Sequence, residues 1–273
     1  MKKFEGILLC TDLDGTLLRN DKSISKENLC AIDYFKQEGG LFTFVTGRPP
    51  MIVRDIYETV QPNAPFGCNN GGGLYDPCTQ SYIWAQGLPH DVLELVSYAD
   101  ERIEGLGIQV NSFHHVYFCK ENSAMEYFRK VTGVPNVTCR LSEVTEPIAK
   151  ILFGDEREEA LQYLKELLDA HPRAREFDFI RSEKTLYEIL PKGIGKGTAI
   201  EKLVELLQID ANKTIAVGDY NNDISMLRTA KLGIAVANAC PEAKAAADHI
   251  TVSNEEHAIA KIVEDLDCGL LKI

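Results

Sequence analysis

The sequence predicts an α/β protein in which a parallel, doubly covered sheet is interrupted by an inserted α+β module. Short apolar runs alternate with amphipathic helical patterns at both ends of the 273-residue chain. Those runs are nearly continuous, as in strands buried on both faces, whereas the middle third places strands in adjacent pairs beside helices. The expected division is a discontinuous unit of residues 1–83 and 189–273 around an insert of 84–188.

"GILLCTD" opens the chain as a buried strand, and "KENLCAIDYFKQEGG" follows as a helix ended by glycines, with Leu29, Ile32 and Phe35 on one face. "GLFTFVTGR" is a second strand. The next helix starts at Pro50 and spaces Ile52, Val53, Ile56, Tyr57 and Val60 helically. In the insert, "SYIW" precedes a helix carrying Val92, Leu95, Val96, Ala99 and Ile103. "IQVNS" and "VYFC" read as strands joined through "FHH", followed by a helix around Met125 and Phe128. "KILFGD", a helix with Leu161, Leu164 and Leu168, and the strand pair "FDFIRS" and "LYEIL" complete it. The last third returns to strand and helix in alternation. "KGTAIEKLVELLQ" is a helix, "TIAVGD" a strand, and a helix begins at Asp223. "GIAVA", an Ala-rich helix, "HITV" and a final helix with Ile259, Ile262, Val263 and Leu266 close the chain.

The formal net charge of −12 argues against a general nucleic-acid binder, which needs an electropositive footprint. An acidic chain binds an anion only through a local cation or a captured metal. No apolar run is long enough to span a bilayer. The apolar segment of "MKKFEGILLC" is too short for a signal peptide, so a cytoplasmic protein is expected, in which the sequons at Asn136 and Asn212 carry no meaning. The eight cysteines form no CxxC pair and read as reduced, mostly buried thiols.

Ligands of an open parallel sheet bind beyond the carboxyl ends of its strands. Three such ends are polar: "TDLDGT", "VTGR" and "VGDYNND". In an extended segment, side chains at i and i+2 point the same way, so Asp12 and Asp14 are expected to converge. Two carboxylates so placed need a cation, for which Mg²⁺ is the natural choice beside a phosphate, or one of them must stay protonated. Asp219 and Asp223 could complete such a ligand set, and a capping turn before Gly15 is the other reading of the pair. Thr46 could offer its hydroxyl and N–H to an anion, with Gly47 allowing close approach and Arg48 adding charge; equally, Thr46 could cap a helix. Lys196 lies in neither a P-loop nor a GxGxxG pattern, but an ammonium at a helix start suggests an anionic partner. Asp219, Asn222 and Asp223 gather three oxygen-bearing side chains at one strand-to-helix junction, more than capping requires. "CNNGGG" at 68–73 is a glycine-rich loop after a helix.

In order, these pieces resemble the haloacid dehalogenase superfamily of phosphotransferases, which shows DxDGT, a Ser or Thr ending the second strand, a Lys, and GDxxND. Asp12-Leu13-Asp14-Gly15-Thr16, Thr46, Lys196 and Gly218-Asp219-Tyr220-Asn221-Asn222-Asp223 stand at those places. The insert resembles the C2B-type cap of the Cof-type (IIB) subfamily, as do "NGG" at 70–72 and "AVANACPEAKAAADHITVSN". Gly72 replaces a usual Ala, and Ala237 takes a glycine position.

The resemblance implies a Rossmann-like core and a cytoplasmic phosphatase acting on a small phosphorylated metabolite, with sugar phosphates foremost. Asp12 would attack phosphorus to give an aspartyl-phosphate, and Asp14 would move the proton. Mg²⁺ would be held by Asp12, the Asp14 carbonyl oxygen and Asp219. Thr46 and Lys196 would bind phosphoryl oxygens, with Gly47 beside them. Asn222 and Asp223 would orient ligands or touch the phosphate, and Arg48 and Asn70 would contact substrate. His114 and His115 are read as solvated, and Arg181 and Glu188 as structural residues of the cap. The alternatives are a phosphomutase of the same superfamily and a phosphosugar-binding regulator without turnover. The sequence fixes neither the oligomeric state nor the individual substrate.

Overall fold

The computed structural model describes residues 2–135 and 137–273; the sequon at Asn136 lies outside them. The described residues divide into two units, the first formed by residues up to Arg48, Val53–Trp84 and Gly195–Ile273, the second by Pro49–Ile52 and Ala85–Ile194.

The first unit is built on a five-stranded sheet. Its strands are β1 (Leu8–Thr11), β2 (Leu41–Phe44), β12 (Thr214–Gly218), β13 (Leu232–Ala235) and β14 (His249–Ile250), in the order β14-β13-β12-β1-β2 with every pairing parallel. All four residues of β1 are buried, which accounts for their uninterrupted apolar character. The chain leaves β1 for β2 on one side and later returns to β12 on the other. The carboxyl end of β1 is therefore the topological switch point of the sheet.

Helices α1 (Lys26–Gln37) and α9 (Ala258–Asp267) pack together, as do α6 (Lys196–Leu207) and α7 (Ile224–Thr229). Ser25 caps α1 by accepting from the N–H of Asn28 at 3.2 Å. The helix expected from Pro50 is a single 3-10 turn at Pro50–Ile52 followed by α2 (Arg54–Val60). The first unit also holds a small sheet of β3 (Phe66–Cys68), β4 (Gly73–Asp76) and β5 (Ser81–Ala85) that was not expected from the sequence. "CNNGGG" thus follows strand β3 and not a helix; β3 is three residues long and too short to show a period.

The second unit carries α3 (Val92–Asp100), β6 (Gly107–Ser112), β7 (Val116–Lys120), α4 (Ser123–Thr132), β8 (Val137–Thr138), β9 (Ile148–Gly154), α5 (Glu158–Asp169), β10 (Phe177–Glu183) and β11 (Leu186–Pro191). Its six strands run β10-β11-β9-β6-β7-β8, antiparallel except for the short β7–β8 pairing. Strand β11 pairs with β10 as far as Pro191, and the second unit continues to Ile194, where the sequence suggested a division after 188.

All eight cysteines are free, but only Cys10 and Cys68 are buried. The expectation of mostly buried thiols is corrected: Cys30, Cys78 and Cys268 are exposed, lying on α1, between β4 and β5, and just past α9.

Asn28 is fully buried, and its Oδ1 accepts from the N–H of Ala260, which ties α1 to α9. Asn28→Ala would leave that half-buried N–H without its acceptor. It is expected to lower stability by about 1–3 kcal/mol, read as a lower denaturation midpoint with an unchanged slope.

Candidate active site

The site lies at the carboxyl ends of β1, β2 and β12, all in the first unit. Strand β1 ends at Thr11, and the N–H of Asp12 donates to the carbonyl of Val217 at 2.8 Å. The chain then turns: Leu17 and Leu18 donate to the carbonyls of Asp12 and Leu13, with Leu13 and Leu17 buried. Gly15 completes the turn at φ +78°, and a Cβ there would stand 2.4 Å from Asp219 Oδ2. No side chain fits between the turn and Asp219.

The Asp12 and Asp14 side chains stand close enough for the charge of Asp14 to act on Asp12. The two carboxylates have different partners. Lys196 Nζ, at the start of α6, donates to Asp12 Oδ1 and to Asp223 Oδ1, each at 2.5 Å, and all three side chains are buried. Lys196 is therefore not a surface lysine. The Asp14 carboxylate is held by Arg48, whose Nε and Nη2 donate at 2.7 Å each, and by Lys22 Nζ at 2.8 Å.

The electrostatics differ accordingly. Burial pulls Lys196 down, but Asp12 and Asp223 outweigh it and hold the ammonium above its ordinary value. Burial pushes Asp12 well up; Lys196 opposes this, and the charges of Asp223, Asp219 and Asp14 add to it. Burial and the charge of Asp223 push Asp219 up to about 7. Burial would also raise Asp14, but Arg48 and then Lys22 overcome it and bring Asp14 down to about 2.

Carboxylate oxygens of Asp12, Asp219 and Asp223 lie within 4.8 Å of one another. Three carboxylates against the single charge of Lys196 leave a local excess of two negative charges, and every donor is a hard oxygen. That set fits a divalent metal ion. Asp223 is the most occupied of the three, since Oδ1 faces Lys196 while Oδ2 accepts from the N–H groups of Asp219 and Tyr220. Asp14 contributes no carboxylate to this cluster.

At the end of β2, buried Thr46 accepts through Oγ1 from the N–H of Arg48 at 3.1 Å. Asn70, at φ +54°, accepts through Oδ1 from Asn222 Nδ2 at 3.1 Å, and a Cβ on Gly47 would meet that same Oδ1 at 2.9 Å. The structure thus assembles Asp12, Lys196, Asp219 and Asp223 as one group, Asp14 with Arg48 as a second, and Gly47, Asn70 and Asn222 as a third. His114 and His115 are exposed in the second unit, where His115 Nδ1 lies 2.8 Å from Glu146 Oε1. Arg181 pairs with Glu158, and Glu188 with Lys150.

Sequence reasoning missed Lys22, Thr16 and Asn238. Thr16 Oγ1 donates to Asp219 Oδ1 at 3.2 Å, and Asn238 Nδ2 donates to the carbonyl of Gly15 at 2.8 Å. Lys22 carried no signal, whereas Thr16 stood inside the quoted motif.

Buried aspartates and one lysine thus stand beyond the carboxyl end of β1, where an open parallel sheet binds its ligands. The haloacid dehalogenase-like hydrolase family matches residues 9–263, and the chain belongs to that family. The chain is 26% identical over 260 residues to the 5-amino-6-(5-phospho-D-ribitylamino)uracil phosphatase YitU of Bacillus subtilis, covering 94% of this chain and 96% of that one. Phosphatase YwpJ of the same organism is 27% identical over 288 residues, covering 95% and 99%. A haloacid dehalogenase-like hydrolase from Bacteroides thetaiotaomicron shares the fold with a TM-score of 0.84 at 24% identity, covering 95% and 99%. The chain is a Cof-type phosphatase, a phosphoric monoester hydrolase.

The raised value of Asp219 gives a pH dependence. Without metal the folded state keeps a proton that the unfolded state loses near 4, so the contribution of Asp219 to stability falls as pH rises from about 4 to about 7 and is level above. A bound divalent ion must displace that proton. Apparent Mg²⁺ affinity, read from the thermal shift at graded Mg²⁺, is expected to rise with pH up to about 7, because binding displaces protons from raised carboxyls. A pH-independent Mg²⁺ shift would count against Asp219 as a ligand.

Proposed function

We propose that this phosphatase hydrolyses small phosphorylated metabolites, sugar or polyol phosphates foremost, through an aspartyl-phosphate on Asp12 with Mg²⁺ as cofactor. The observation that carries this reading is the buried Asp12 carboxylate, fixed by Lys196 at 2.5 Å at the switch point of the sheet. The name of YitU supports the substrate class, since a phosphorylated ribityl chain is a polyol phosphate.

Asp12 attacks phosphorus in line, and the bond to the leaving oxygen breaks as the Asp12–phosphorus bond forms. Lys196 keeps its charge and lies against the nucleophile, where it offsets the negative charge that Asp12 and the phosphoryl group bring together. Asp12, Asp219 and the Asp14 carbonyl would hold Mg²⁺, which supplies charge neutralisation at the phosphoryl oxygens. Asp223 positions Lys196 and the backbone of Asp219 and Tyr220. Thr46, Gly47, Asn70 and Asn222 form the polar wall for the phosphoryl oxygens.

Asp14 gives a proton to the leaving alcohol and later takes one from the water that attacks phosphorus, as the Asp12–phosphorus bond breaks and phosphate is released. The ionised form held by Arg48 and Lys22 suits the second step. The first step requires Arg48 to exchange Asp14 for the phosphoryl group, which raises the proton affinity of Asp14 once substrate is present. The second unit acts as the C2B-type cap and selects the alcohol.

Purified protein with Mg²⁺ is expected to release phosphate steadily from members of a phosphomonoester panel. No release from any member would reject hydrolysis, and phosphoryl transfer to a second hydroxyl without free phosphate would indicate a mutase. Asp12→Asn is expected to lower kcat by about 10⁴-fold or more with folding intact by circular dichroism. Retained turnover would remove Asp12 as the nucleophile.

A further inference from the structure

Strand β8 is the edge of the second unit's sheet, two residues long, and joins β7 in parallel. The register sets Tyr117 opposite Val137 and Phe118 opposite Thr138. Carried one residue further, it sets Cys119 opposite Cys139. Partners in a parallel ladder point to the same face, and successive pairs alternate between faces. Phe118 belongs to the apolar cluster of Val116, Met125 and Leu152, whereas Cys119 and Cys139 both pack against the other cluster, which holds residues of α3 and α5. The two thiols therefore share one face on neighbouring strands. They are hydrogen-bonded to each other, and both are free.

Neighbouring strands run about 4.8 Å apart, and a disulfide takes Cα atoms roughly 4.4–6.8 Å apart. A bond between these two sulfurs therefore needs no backbone movement. Both residues are half-buried, so a small reagent reaches the pair from solvent. Burial raises both thiols, carrying Cys119 up to about 12, while the hydrogen bond from Cys119 draws Cys139 back. Cys139 is the readier thiolate of the two. A zinc site takes four ligands, and among the described residues no third His, Cys, Asp or Glu completes a metal-binding set with this pair. Oxidation is the chemistry that remains. The ring it would close, residues 119–139, contains α4 and the whole of β8. An edge strand this short is held by few backbone bonds, so it is the part of the sheet that a cross-link changes most.

We propose that Cys119 and Cys139 are an oxidisable pair, closed to a disulfide by oxidised glutathione or a similar small disulfide, that ties β8 to β7 according to the redox poise around the protein. The Cys139 thiolate attacks one sulfur of oxidised glutathione. A Cys139–glutathione bond forms as the glutathione disulfide breaks, and one glutathione thiolate leaves. Cys119 then gives up its proton, attacks the Cys139 sulfur and expels the second glutathione. Together the two cysteines lose two protons and two electrons, and the oxidant takes up both as two glutathione thiols.

The test treats the whole chain with oxidised glutathione, raised until the exposed Cys30, Cys78 and Cys268 react, then alkylates the remaining thiols after unfolding and maps the peptides by mass spectrometry. Peptides joined through Cys119 and Cys139 are expected, and dithiothreitol is expected to separate them. In glutathione buffers the joined fraction is expected to follow oxidised glutathione over the square of the reduced form, because two thiols are released; a mixed disulfide follows the simple ratio. Amide exchange of β8 is expected to slow about tenfold or more on joining, and to stay unchanged in oxidant-treated Cys119→Ser and Cys139→Ser. Reaction of the exposed cysteines without this link, or a link between other cysteines, would overturn the pairing. Unchanged exchange in the linked protein would overturn the tie to β8.

Discussion

The first unit is organised around one buried ammonium. Lys196 sits between Asp12 and Asp223, and taking those three charges out of water costs several kcal/mol per ion on an order-of-magnitude scale. Removing one partner of such an arrangement costs roughly 3–5 kcal/mol, because the remaining charge stays buried. The group joins the end of β1, the start of α6 and the junction between β12 and α7, elements that are distant in the chain and adjacent at the switch point. Its geometric effect is to fix one carboxylate oxygen of Asp12 where the sheet presents it to a ligand.

Asp223 extends that constraint into the backbone. One of its oxygens faces Lys196, and the other takes the N–H groups of Asp219 and Tyr220. A Cβ on Gly218 would lie 2.5 Å from Asp223 Cβ, so the close fit of this loop needs a glycine there. The position of Asp219 therefore follows from that of Lys196. On the opposite flank, Asn254 donates through its N–H to Asn238 Oδ1, and Asn238 donates to the carbonyl of Gly15. On that flank the turn after β1 is held by groups that take no part in the acidic cluster.

Most of the fold was legible because buried parallel strands and amphipathic helices leave strong periodic marks. Strands β3 and β8, of three and two residues, left none, and the division after 188 cut through β11, which runs on to Pro191 with the charged Glu188 in its middle. The acidic residues and Lys196 were legible as an ordered set of motifs, although their pairing was not. Lys22 lies in a connecting loop, and only the folded chain brings its ammonium to Asp14.

Two carboxylates one residue apart end in opposite electrical settings because their partners differ. Asp12 meets Lys196 and the acidic cluster, and Asp14 meets Arg48 and Lys22. Burial among like charges raises the first, and two cations lower the second. Pairs of titratable groups driven apart in this way are how one pocket supports both a nucleophile and a proton carrier. In the proposed mechanism a cation drawn by Asp12 and its acidic neighbours would let that carboxylate work in its ionised form, and a phosphoryl dianion would draw Arg48 from Asp14. The difference between the two aspartates is therefore set by the charges that each one meets.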